Sequence, residues 1–193
     1  MGGEPRGLRR DRARLGQVRL FGRKLRRKEE KPHFRFYPGA YAEGGPLVAS
    51  AKPCDCCGQP CVWEYTGNIY ASTDATVCAG CIAAGYLGQI FKDGYSLDDI
   101  ELETEVGQAL SSELFERTPG VACFDPFEWP VADDAPMAFI GYGADFEKDS
   151  EAVRATTSAF SKLGWDDQTG PSDYALLFRP LGGGPMRAVI DLD

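Results

Sequence analysis

"CDCCGQPC", residues 54–61, concentrates four of the chain's seven cysteines, and "CAGC", residues 78–81, supplies two more. Clustered thiols can form a disulfide, act as a redox pair or hold a soft metal ion. Spacing separates these chemistries. Cys54 and Cys57 make one C-x2-C pair, Cys78 and Cys81 a second, and twenty residues lie between Cys57 and Cys78. Each pair can wrap a tight turn around a single ion, and Gly58, directly after Cys57, permits the backbone twist that such a turn needs. Between the pairs, "VWEYTGNIYAST" alternates apolar and polar residues on either side of Thr66, Gly67 and Asn68, the pattern of a β-hairpin. A hairpin bracketed by two such turns predicts a zinc ribbon with Cys54, Cys57, Cys78 and Cys81 as metal ligands. Four thiolates complete a tetrahedral shell and leave no position for water, so Zn2+ there is structural, stabilising the module by up to about 10 kcal/mol. Cys56 shortens or destroys the C-x2-C turn if it substitutes for a neighbour, and Cys61 lies beyond the turn, so both read as bystanders. A redox motif of the thioredoxin kind would need a single C-x-x-C opening a helix, and an odd cysteine total fits poorly with full disulfide pairing.

The elements that must position these thiols are legible in outline. "KPHFRFYPG" places Phe34 and Phe36 in alternation between Pro32 and Pro38, which predicts a short edge strand. His33, in the same stretch, is the chain's single histidine and has no neighbouring ligand, so it reads as structural or exposed. In "ETEVGQALSSELFERTPG", Val106, Leu110 and Leu114 recur at helical spacing and Pro119 with Gly120 ends the run. "MAFIGY" reads as a strand. "DSEAVRATTSAFSKLG" reads as a helix with Ser150 at its N-cap, Val153, Phe160 and Leu163 on one face, and Gly164 past its end. "DYALLFRP" and "MRAVIDLD" read as strands paired through "LGGG". The expected fold is α+β: an N-terminal zinc-ribbon β module packed on a small α+β domain with a C-terminal β-hairpin. Three segments are expected: a basic, disordered arm over 1–31, the edge strand and ribbon over 32–93, and the α+β domain over 94–193.

Charge divides along the chain. Residues 1–31 hold twelve of the 21 Lys and Arg and four of the 29 Asp and Glu, which leaves nine bases against 25 acids in residues 32–193. The leader is strongly basic and the body strongly acidic. The leader's scattered Leu, Val and Phe, interrupted by Gly16 and Gly22, do not demand a packed helix, so it reads as a solvated arm able to contact phosphates or a membrane surface. No stretch approaches the ~18 apolar residues of a membrane helix, and the arginine-rich start lacks the apolar core of a signal peptide. A reducing cytoplasm is the expected compartment, and clustered cysteines there favour metal binding over disulfides.

At the level of motifs, "PHFRFYPGAYAEG", "CDCCG", "YTGNIY", "CAGCIAAG", "ERTPG", "AFIG" and "RAVIDLD" together make the chain resemble the CbrC family, UPF0167, from Pro32 to Asp193. The resemblance implies a bacterial, cytoplasmic protein of a family associated by name with bacteriocin tolerance. It also implies positions that differ. Ala132, Asp133 and Met137 in "WPVADDAPMAFIG" stand where the family pattern has His, Cys and Cys. Pro180 and Gly183 in "LFRPLGGG" stand where it has two further cysteines, and Tyr37 stands where relatives tend to have His. A second metal site in relatives would be lost from this chain as a unit.

Catalytic constellations are weak. The carboxylates of "SLDDIELETE" and "VADDAP" read as adjacent on loops instead of held in different environments across a pocket, and "LGGGP" precedes a strand, not a helix. The expected function is therefore a non-catalytic zinc-ribbon binding protein whose acidic body engages a basic protein partner. A phosphate-gripping nuclease toxin is such a partner, and an immunity-like role would suit the resemblance. The alternative is nucleic-acid association through the basic arm. Against it, residues 53–85 contain no Lys or Arg, while Asp55, Glu64 and Asp74 are acidic.

Overall fold

The computed structural model describes residues 31–67, 75–86, 102–123, 128–165, 172 and 174–191. The basic arm up to residue 30 and the carboxylate run of residues 97–101 lie outside the described residues. The fold is mixed α+β with three small sheets, built from strands of two to five residues.

The first sheet has the order β1–β2–β3, with β1 at Leu47–Ala49, β2 at Trp63–Tyr65 and β3 at Val77–Cys78. β2 pairs antiparallel with β1 (Leu47 opposite Tyr65) and with β3 (Glu64 opposite Cys78). The hairpin expected around Thr66 to Asn68 is thus realised through a partner strand further along the chain than expected, while residues 68–74 lie outside the described residues. α1, Ala79–Ala83, follows β3 directly.

α2, Glu105–Arg117, begins at Thr104, whose side chain accepts from the Gly107 backbone N–H at 3.0 Å, and ends as expected just before Pro119. Its buried positions are Gly107 and Leu114; Val106, expected on the core face, is 70% exposed. Gly107 faces the second sheet, a hairpin of β4 (Val131–Ala132) and β5 (Ala135–Pro136), so closely that a Cβ would lie 2.7 Å from Asp134 Oδ2. A large residue beside Gly107 cannot share that contact, which turns Val106 outward.

The third sheet has the order β6–β7–β8, from Ala138–Tyr142, Ala175–Arg179 and Arg187–Ile190, all antiparallel. The expected C-terminal hairpin is β7–β8, and "MAFIGY" adds β6 to its other edge. A 3-10 turn, Gly143–Phe146, leads to α3, Ser150–Lys162, which packs on β7 and β8. Asp149, not Ser150, caps α3: its Oδ1 accepts from the N–H groups of Glu151 at 2.8 Å and Ala152 at 3.2 Å. The buried face is Ala152, Thr156 and Phe160; Phe160 is buried as expected, while Val153 is half-buried and Leu163 is 49% exposed. Small side chains at Ala152 and Thr156 allow the helix to lie close on the sheet, so apolar size is a poor guide to its inner face.

Phe34 and Phe36 do not form the expected edge strand. The chain turns there, with the Tyr37 N–H donating to Phe34 O at 3.1 Å, and a single ladder-like bond joins the Phe139 N–H to Phe36 O at 2.8 Å. Burial nevertheless alternates as the aromatics suggest. Phe34 and Phe36 are buried and Arg35 is exposed, its guanidinium 2.9 Å from Glu113 on α2. Phe36, Tyr65, Cys54, Cys81, Leu114, Trp129, Phe139 and Phe178 belong to one continuous buried cluster, which joins the cysteine-bearing sheet to the β6–β7–β8 sheet.

Candidate metal centre

The first cysteine turn is a miniature hairpin in which two prolines are the paired residues. Pro53 and Pro60 bridge antiparallel, the Cys54 N–H donates to Gln59 O at 2.8 Å, and the Cys61 N–H donates to Lys52 O at 2.7 Å. The Gly58 N–H closes the turn on Cys54 O at 2.7 Å, with Gly58 at φ +69°, a left-handed conformation disfavoured for any residue with a Cβ. The role expected of this glycine is the one it has.

The second turn is made by the junction of β3 and α1. Cys78 is extended (φ −89°, ψ 151°) at the N-cap of α1, and Cys81 sits buried within the helix. The two turns are fastened by Asp55, whose N–H donates to Thr76 O at 2.8 Å and whose Oδ2 accepts from the Thr76 N–H at 2.7 Å. A third link is direct, from the Cys78 N–H to Cys54 Sγ at 3.3 Å.

The four sulfurs of Cys54, Cys57, Cys78 and Cys81 all lie within 4.8 Å of one another. Cys54 and Cys81 are separated by 3.8 Å, and Cys57 and Cys78 by 4.0 Å. A tetrahedron of sulfurs about 2.3 Å from a central zinc has edges of about 3.8 Å, whereas a disulfide needs about 2.05 Å. The spacing fits one shared ion and not sulfur–sulfur bonds. Cys54 and Cys81 are buried and Cys57 and Cys78 half-buried, so the cluster is enclosed on one side.

Protonation chemistry agrees. Thiol donors from Cys56, Cys78 and Cys81 draw the Cys54 pKa far down, against the opposing effect of burial. The complementary bonds to Cys54 push Cys81 strongly upward and Cys78 up to about 11. Cys56 is pushed up to about 12, first by its bond to Cys54, and Cys61 to about 12, first by burial. Neither belongs to the group of four, in keeping with their reading as bystanders.

Other positions singled out by sequence are not drawn into a site. His33 is exposed. Asp133 and Asp134 form the two-residue turn of the β4–β5 hairpin, with φ +53° and +54°, and Asp134 accepts from the Glu103 N–H at 2.9 Å and the Thr104 N–H at 3.1 Å, as well as from the Thr104 hydroxyl. That carboxylate organises the entry to α2. The hairpin turn itself was not legible, because an Asp-Asp pair is an uncommon way to supply two positive φ angles.

The five positions at which the resemblance implies lost ligands lie on stretches joined by strand pairing and hydrogen bonds. Ala138, next to Met137, pairs with Arg179, next to Pro180; the Gly183 N–H donates to Pro180 O at 3.0 Å; and Arg187 Nη1 donates to Val131 O, beside Ala132, at 2.8 Å. They carry one carboxylate, that of Asp133, and no thiol or imidazole. Met137 is wholly buried instead, with its carbonyl accepting from Trp129 Nε1 at 2.8 Å. Among the described residues, the four cysteines are the one group of His, Cys, Asp or Glu side chains able to hold a metal ion.

Fold and site define a class: a mixed α+β protein of small sheets with a four-cysteine cluster able to hold a metal ion. A family model described as "Uncharacterised protein family (UPF0167)" matches residues 31–173, and the chain belongs to that family. It is 30% identical to the UPF0167 protein PA1536 of Pseudomonas aeruginosa over 137 residues, 69% of this chain and 76% of the relative. It is also 28% identical to the UPF0167 protein Mb2317 of Mycobacterium bovis over 115 residues, 58% of this chain and 61% of the relative. No solved structure matches the chain. Among the described residues no helix is long and apolar enough to cross a membrane.

Proposed function

We propose that Cys54, Cys57, Cys78 and Cys81 bind one Zn2+ as a closed structural centre, and that the protein is a non-catalytic binding module whose acidic body engages a basic protein. The observation that carries the first half is the near-tetrahedral spacing, with 3.8 Å between Cys54 and Cys81 and 4.0 Å between Cys57 and Cys78. All four positions are filled by thiols, so the ion supplies cross-linking and leaves no coordination site for water activation. Residues 52–61, β2, β3 and α1 converge on it, which makes it a brace for the first sheet.

The second half rests on charge. Residues 32–193 carry nine bases and 25 acids, and a four-thiolate Zn2+ adds a net charge of about −2. Such a surface steers association with cationic proteins and repels phosphates. A nuclease toxin has the complementary chemistry, since it must grip nucleic acid; toxin tolerance is the role this reading favours. A pull-down of the full chain against a basic nuclease domain tests it. Binding that weakens steeply with salt supports the reading, and no binding, or binding insensitive to salt, contradicts it.

A second reading has one specific observation in its favour. Lys31, where the basic leader meets the body, places its Nζ 4.1 Å from the ring centre of Trp63 and 5.1 Å from that of Tyr41. This cation–π contact anchors the end of the arm beside the cysteine-bearing sheet. An arm tethered there could hold nucleic acid while the sheet acts as a platform. Retention of DNA and RNA by the full chain and by a chain starting at Lys31 separates the two readings: binding by the full chain alone favours the arm, and binding by neither removes it.

A further inference from the structure

A cleft of about 190 Å³ opens between the first sheet and the segment after α2, away from the four metal-site thiols. Three phenols line it, those of Tyr37, Tyr65 and Tyr142, together with the half-buried thiol of Cys123. A 150 Å³ apolar cavity is enough to hold benzene, so this one has room for a ring bearing a small substituent.

Tyr37 distinguishes the cleft from a packing defect. The residue is 6% exposed, and its ring is fixed edge-on against Phe139 with centroids 4.9 Å apart. Among the described residues its hydroxyl has no hydrogen-bond partner, yet the oxygen is not sealed off as Thr156 Oγ1 is, and the residue lines the cleft. A phenol with 94% of its residue surface removed from water normally finds a partner, because an unsatisfied polar group is costly. Tyr142, by contrast, spends its proton on Ala122 O at 2.9 Å. Burial first, then the neighbouring Tyr142, Tyr65 and Asp145, raises the Tyr37 pKa, so at neutral pH it remains a donor.

The lining also restricts charge. Among the described residues it includes no Lys, Arg or His to pair with an anion and no Asp or Glu to pair with a cation. Glycines let the Tyr65 phenol lie against the wall: a Cβ on Gly67 would lie 2.4 Å from the Tyr65 hydroxyl, and one on Gly120 would lie 2.8 Å from it. We infer that this cleft is a binding site for a small uncharged ring compound bearing a carbonyl oxygen, which accepts a hydrogen bond from the Tyr37 hydroxyl. None of the four metal-site cysteines lines the cleft.

The test uses the full, metal-containing chain and three probes of one shape: benzamide, benzoate and benzylamine. Titration followed by ligand-observed NMR is expected to show saturable benzamide binding at about millimolar affinity, with benzoate and benzylamine at least about tenfold weaker. Tyr37→Phe should weaken benzamide about three- to tenfold while leaving the melting temperature of the ligand-free chain unchanged or raised, since it removes the bond to the ligand and an unpartnered buried hydroxyl but no packing. Val121→Phe, which puts a ring into the cleft, should abolish binding. Benzamide should also slow alkylation of Cys123 by iodoacetamide in the wild-type chain, a readout that survives if either variant folds poorly. Absence of saturable benzamide binding, equal binding of the three probes, unaltered affinity in Tyr37→Phe, or unprotected Cys123 would each overturn the inference.

Discussion

The backbone N–H of Cys78 donates to the Sγ of Cys54 at 3.3 Å, so the strand that ends at one pair of ligands holds a ligand of the other pair. Two turns separated by twenty residues are thereby registered on each other by the backbone as well as by sulfur proximity. Hydrogen bonds to sulfur favour its thiolate, the form a metal requires.

Cys54→Ser or Cys81→Ser should remove the metal and cost several kcal/mol of stability, because the ion's binding energy contributes to folding. Cys56→Ser should retain full metal content. The comparison is read by metal analysis and thermal melting of the three variants. Equal metal loss in Cys56→Ser would mean that the ligand set is not Cys54, Cys57, Cys78 and Cys81.

Gly107→Ala should destabilise the protein by about 1–3 kcal/mol, although alanine in a helix normally gains about 0.5–1 kcal/mol over glycine. The added Cβ would lie 2.7 Å from Asp134 Oδ2 and 2.8 Å from Asp134 O, and a backbone oxygen cannot easily move aside. Val106→Ala, one residue earlier and 70% exposed, should change stability by less than about 0.5 kcal/mol. Urea melts of both variants measure this contrast.

Asp149→Ala should cost about 0.5–2 kcal/mol and Ser150→Ala almost nothing. Asp149 holds two N–H groups of the first turn of α3, while the Ser150 hydroxyl contacts only the exposed Arg154 at 3.5 Å. Chemical denaturation distinguishes them, and a larger loss in Ser150→Ala would move the cap.

Stability should fall as the medium is acidified below about pH 4.5. The Asp134 carboxyl is held below its ordinary 3.8 by the Thr104 hydroxyl and the Glu103 and Thr104 N–H groups, and Glu151 below 4.5 by the Met186 N–H and Arg179. A carboxyl whose folded pKa is depressed contributes stability above its unfolded pKa and loses it as pH falls through the folded one. Asp134→Asn and Glu151→Gln should each flatten the acid limb of a plot of melting temperature against pH. Unchanged limbs would show that neither carboxylate is linked to folding.

The four-cysteine cluster was the most legible feature because its signal is local: two C-x2-C pairs and Gly58 need only short turns to bring each pair of sulfurs together. Elements set by distant partners were less so. β1 is three residues, "LVA", with no periodicity of its own, and exists because β2 supplies its ladder. Phe34 and Phe36 alternate in burial as a strand would, but a turn at Phe34 to Tyr37 satisfies the backbone instead. Phe160 was legible on the inner face of α3, but Ala152 and Thr156 were not, because close approach to the sheet selects small side chains over larger neighbours. The Tyr37 cleft left no trace in the sequence, since its phenols come from three separate elements.

The most direct test is X-ray absorption at the zinc edge on protein purified from its native cell, with metal content measured on the same sample. One zinc per chain surrounded by four sulfurs at about 2.3 Å is the expected result. A metal-free chain, a shell containing nitrogen or oxygen, or disulfides among Cys54, Cys57, Cys78 and Cys81 would contradict it.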